Sequence, residues 1–75
     1  MIFYYSVHIQ KRIRQRELSA GMIEQTASRP DRTILTYRGR YLAQKSFHGK
    51  ILEVVCKSEE SRTILITAYW LKEKG

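Results

Sequence analysis

Arg32 to Trp70 reads RTILTYRGRYLAQKSFHGKILEVVCKSEESRTILITAYW, and this stretch decides the fold. Before Pro30 the apolar residues recur every three or four positions; after it they alternate or cluster with β-branched neighbours. "RTILTYR" (Arg32–Arg38) reads as a strand, "GR" as its turn, and "YLAQKSF" (Tyr41–Phe47) as the next strand. "HGK" is a tight turn that leads into "ILEVVCK" (Ile51–Lys57), whose β-branched content marks the central strand. A polar "SEESR" then precedes the last strand, "TILITAYW" (Thr63–Trp70). Strict alternation there puts Ile64, Ile66, Ala68 and Trp70 on one face and Thr63, Leu65, Thr67 and Tyr69 on the other. Connections this short predict antiparallel pairing, because parallel pairing needs long crossovers.

Upstream of this stretch the pattern is helical. Tyr5 to Glu17 holds the i, i+4 pair Ile9 and Ile13, and no glycine or proline interrupts it. Ser19 is a good N-cap for a second, short helix in which Met22, Ile23, Thr26 and Ala27 face the core. Pro30 and Asp31 stop that helix and begin a turn. The predicted fold is therefore α+β: two N-terminal helices packed on one face of a four-stranded antiparallel sheet, in the order ααββββ. At 75 residues the chain is expected to form a single domain, 1–75. Its core is thin, so a partner or a homodimer is expected to add stability.

The apolar fraction of 43% and the aromatic fraction of 11% argue against disorder. Fourteen Lys and Arg face seven Asp and Glu, giving a net charge of +7 and a pI near 9.9. That favours an anionic partner, whether RNA, DNA, a membrane surface or an acidic protein, without choosing among them. The single cysteine, Cys56, excludes an internal disulfide and sits in an apolar run as a small buried side chain. "MIFYYSVHIQ" lacks the features of a leader, and no segment is long enough to span a bilayer, so a cytoplasmic, non-membrane protein is expected.

"SVHIQKRIRQRELS" (Ser6–Ser19) resembles the Ser-x-His-x-x-x-Arg-x-x-x-Arg-x-Ile-Ser signature of a small bacterial and archaeal domain-of-unknown-function family. The proline after the second helix, the "YRGRY" hairpin, "ILEVVC" and "ITAY" follow in the same order, so the resemblance covers nearly the whole chain. Glu17 departs from the pattern, which usually has glycine or asparagine there. The family is grouped with the RelE and BrnT ribonuclease toxins, within a set that includes barnase-like and EndoU-like nucleases. The resemblance implies a RelE-like two-layer fold, metal-independent RNA cleavage, and an antitoxin protein made from a neighbouring gene.

Such cleavage uses the 2′-hydroxyl of the RNA as nucleophile. It needs a group that titrates near neutrality and a fixed cation beside the phosphate. His8, Arg12 and Arg16 fall at i, i+4 and i+8, on the stripe that borders the Ile9–Ile13 face. His8 is the candidate acid or base, Arg12 the candidate for phosphate stabilisation, and Tyr69 a candidate donor or stacking group. The bland readings are a half-buried His8 bonded to a carbonyl, Arg12 and Arg16 solvated or paired with Glu17, Glu53 or the C-terminal acids, and Tyr69 as an ordinary strand tyrosine. Arg16, Arg38, Arg40, Lys45, Lys57 and Thr67 are candidate RNA-backbone contacts, or a solvated edge that discourages aggregation. His48 is a turn residue. No metal site and no cofactor are expected, since two histidines and one cysteine at unrelated spacings do not make a zinc site and no phosphate-binding glycine loop is present. Two functions stay open: an endoribonuclease toxin, or a non-catalytic RNA- or protein-binding module of the same fold.

Overall fold

The computed structural model describes residues 2–15 and 17–71. Among these, seven elements follow one another: β1 (Ile2–Tyr5), α1 (Val7–Arg14), α2 (Ala20–Ser28), β2 (Arg32–Leu35), β3 (Arg40–Phe47), β4 (Lys50–Glu59) and β5 (Arg62–Trp70). The five strands form one sheet in the order β1-β5-β4-β3-β2, with both helices on one face. The later strands pair antiparallel, as short connections require, and β4 is the central strand.

The expected four-stranded antiparallel sheet is corrected by β1. Ile2–Tyr5 pairs with β5 in parallel, Tyr4 beside Ile64 and Tyr5 beside Leu65, so the sheet is five-stranded and mixed. A parallel partner needs a long connection, and α1, α2 and three strands supply it. The first helix therefore begins at Val7, not Tyr5. The period-2 signal was present in four residues only: Phe3 and Tyr5 pack on the core while Ile2 and Tyr4 stay exposed. That length is too short to outweigh the helical run that follows it.

Ser6 joins the two elements. Its backbone N–H donates to the Leu65 carbonyl at 3.0 Å. Its Oγ accepts the Ile9 N–H at 3.1 Å as the N-cap of α1, and donates to the Ile66 carbonyl at 2.5 Å. Ile66 has no partner on β4: Val55 faces Thr67 and Cys56 faces Leu65, which makes Ile66 the extra residue of a β-bulge. The bulge overturns the expected alternation of β5. Ala68 and Trp70 share the helix side with Leu65 and Thr63, while Ile64, Thr67 and Tyr69 lie on the other face.

The core sits between the helices and the sheet. Ile9, Ile23, Leu52, Val54, Cys56 and Leu65 are fully buried. Phe47 and Trp70 meet edge to face at 6.1 Å along the rim of this layer. Tyr5 donates to the Glu24 carboxylate, tying β1 to α2. No helix among the described residues is long and apolar enough to cross a membrane.

Ser6→Ala removes the cap and the bond to the bulge together. It is expected to cost ~1–2 kcal/mol, read as a lower urea midpoint with an unchanged slope. An unchanged midpoint would show that α1 is positioned without Ser6.

Candidate functional site

The candidate residues divide between the two faces of the sheet. On α1, Ile9 is fully buried and Ile13 packs against the core, which turns His8 and Arg12 to the flank. His8 is exposed and Arg12 partly so. At i, i+4 their β-carbons stand about 6 Å apart, one turn from each other on one face. Lys11 and Arg14 are exposed on the same helix, and its first turn holds no acidic residue. The cations lie in its last turn, where the helix dipole favours them. The ion pairs among the described residues are Lys45–Asp31, Lys57–Glu59 and Arg62–Glu59, so none engages α1. Arg16, the third member of the stripe, lies outside the described residues.

Tyr69 is on the opposite face. It stands beside Glu53, which stands beside Gln44, on the side away from Leu52 and Val54. The Tyr69 hydroxyl donates to one carboxylate oxygen of Glu53, and Gln44 Nε2 donates to the other at 2.7 Å. Glu53 is only 6% exposed, and both of its oxygens accept from neutral donors rather than from an arginine. The bond to Glu53, with burial and the nearby charge added, pushes the Tyr69 phenol up to about 12. Its proton is committed to Glu53. The sheet thus separates Tyr69 from His8 and Arg12, and these three do not form one constellation.

Thr67, Lys57 and Arg40 share the face of Tyr69, with Arg38 in the adjoining turn. Lys57 is drawn to Glu59 at 3.6 Å. Arg38 and Arg40 are exposed, and no ion pair among the described residues includes either. Lys45 points to the helix side, donating to the Arg29 carbonyl at 3.0 Å and lying 3.7 Å from Asp31. It closes the C-terminus of α2 and serves the fold. His48, with φ 52°, and Gly49, with φ 83°, form the two-residue turn between β3 and β4.

Sequence reasoning missed the role of Glu53. The available signal was a lone acid inside the apolar run "ILEVVCK". A carboxylate inside a central strand needs donors on the neighbouring strands, and Tyr69 and Gln44 are its cross-strand neighbours.

Tyr5 behaves like Tyr69, its phenol pushed up to about 12 by burial and by Glu24. A folded-state value above the ordinary 10.0 means that the stability from these bonds is whole below pH 10 and is lost as the pH rises through about 12. The melting temperature should fall across that window, and Tyr69→Phe should flatten the fall while lowering stability by ~1–3 kcal/mol at neutral pH. An identical alkaline profile in the variant would contradict the Tyr69–Glu53 assignment.

No curated protein and no solved structure matches the chain. A family model does match it, over residues 5–70, from the last residue of β1 to the end of β5. The chain belongs to that family, described as Domain of unknown function (DUF4258).

Proposed function

We propose that this protein is a metal-independent endoribonuclease toxin of a toxin–antitoxin pair, related to the RelE and BrnT toxins, and that His8 and Arg12 carry its chemistry. The observation behind this reading is an exposed imidazole one helical turn from a guanidinium, on a helix whose cations meet no acid among the described residues. RNA brings the nucleophile itself. His8 takes the 2′-hydroxyl proton or, when protonated, supplies the proton that the leaving 5′-oxygen needs. Arg12 faces the charge that gathers on the phosphate, with Lys11 and Arg14 holding the flanking backbone. Tyr69 is left out of the chemistry, because its hydroxyl is bound to Glu53 across the sheet. An antitoxin that silences such a surface would present acidic side chains to α1.

A second reading has its own support. Two concavities among the described residues are lined by Asp31, Arg32, Gln44, Lys45, Ser46 and Ile51, and by Thr36, Tyr37, Arg38, Arg40 and Val55. Neither is lined by a residue of α1, so these hollows lie apart from the His8–Arg12 stripe. A protein that binds RNA or an acidic partner without cutting it fits that arrangement, and its binding would weaken steeply with salt.

Induced expression separates the two readings. Wild type should arrest growth, and His8→Ala and Arg12→Ala should abolish arrest at matched soluble levels. The melting temperature of His8→Ala should stay close to wild type, since His8 is exposed. With purified protein, a rate that rises with pH marks His8 as the base, and one that falls with pH marks it as the acid. Equal arrest by all three proteins, or none by wild type, would leave the binding module as the better account.

A further inference from the structure

The β2–β3 turn carries features that the fold does not need. Thr36 frames it, donating from its backbone N–H at 3.0 Å and from Oγ1 at 2.9 Å, both to the Arg40 carbonyl. Between them stand Tyr37, Arg38 and Gly39. Tyr37 is 82% exposed and packs in no part of the core. Arg38 has φ 65°, in the left-handed region where a side chain crowds the backbone and glycine does not. His48 and Glu60 also have positive φ, so strain alone distinguishes nothing. What is particular to this turn is a concavity of about 280 Å³, walled by Thr36, Tyr37, Arg38, Arg40 and Val55. That volume lies near the lower end of small-ligand sites, which begin at about 300 Å³. No carboxylate lines it.

An exposed aromatic ring beside two guanidinium groups, around a hollow with no acid, suits one nucleotide of a single strand. The ring offers a flat face to an unstacked base, and the arginines reach the phosphates on either side. A duplex offers no free base face, so it gains only the charge term. We propose that Tyr37, Arg38 and Arg40 form a nucleotide-holding subsite for single-stranded RNA, separate from the His8–Arg12 stripe. This rests on the reading that the protein acts on RNA. The subsite holds one nucleotide of the strand by stacking and by phosphate contact, and it reads no base edge, so its preference is for unpaired RNA and not for sequence.

The test is fluorescence anisotropy of the full chain with a labelled, mixed-sequence 2′-O-methyl oligoribonucleotide, single-stranded and annealed to its complement. The methyl group removes the nucleophile, so binding is read without cleavage. Tyr37→Ala and Arg38→Gly are the decisive variants. The first trims a side chain already in solvent, and the second places at φ 65° the residue that prefers it, so neither threatens folding. Each should weaken single-strand binding roughly tenfold. Arg38→Gly should also lower the slope of log affinity against log salt by about 0.7. Tyr37→Phe should bind like wild type, because the ring is kept. Single-strand affinity unchanged by Tyr37→Ala, with wild type binding well, would overturn the subsite and leave the RNA reading intact. Equal losses on single strand and duplex would overturn it in favour of plain charge. No binding by wild type at low salt would refute the RNA reading, and the subsite with it.

Discussion

The pairing of β1 with β5 is the constraint on which the rest of the molecule depends. It sets four N-terminal residues against the last strand, across almost the whole length of the chain. Ser6 then converts that pairing into a position for α1. One side chain caps the helix and holds the carbonyl that the Ile66 bulge leaves without a β4 partner. His8 follows two residues later, so its place relative to the sheet is set by a strand pairing and a single serine. A helix of eight residues has little stability of its own, and this anchoring with the burial of Ile9 supplies what helix propensity does not.

The sheet also decides which residues can act together. Because it is one layer with helices on one side, residues of α1 and residues on the open face cannot meet at one bound atom. Tyr69 is matched to Glu53 by register, one strand apart on the open face. Lys45 is spent on the end of α2. Of the candidate cations among the described residues, those of α1 and those at the β2–β3 turn, Arg38 and Arg40, stand in no ion pair. Under the proposed function, an RNA strand long enough to touch both would be cut at the first and held at the second.

Much of this was legible in the sequence. Ser19 caps α2 as its position before an apolar helical run predicts, and the β-branched density of Ile51–Lys57 marks the central strand. The stripe of His8 and Arg12 follows from helical spacing alone. Two features were not legible, for physical reasons. β1 is four residues long and abuts a helix, so its alternation carries too little signal, and its partner lies some sixty residues away. The bulge at Ile66 is invisible to any strict period of two, because a bulge is a departure from that period. Strict alternation sorts Thr67, Tyr69, Ala68 and Trp70 to the correct faces relative to one another, since all lie beyond the bulge. It reverses Ile64 and Leu65, which lie before the bulge.

The proposed reaction uses the 2′-hydroxyl of the RNA as nucleophile and protein side chains as the catalysts. It is tested most directly by incubating purified protein with a single-stranded RNA in excess chelator and reading the fragment ends by mass spectrometry. The expected products are fragments ending in 2′,3′-cyclic phosphate and 5′-hydroxyl, with none from the His8→Ala protein. Intact RNA, or fragments bearing 5′-phosphate and 3′-hydroxyl ends, would contradict it.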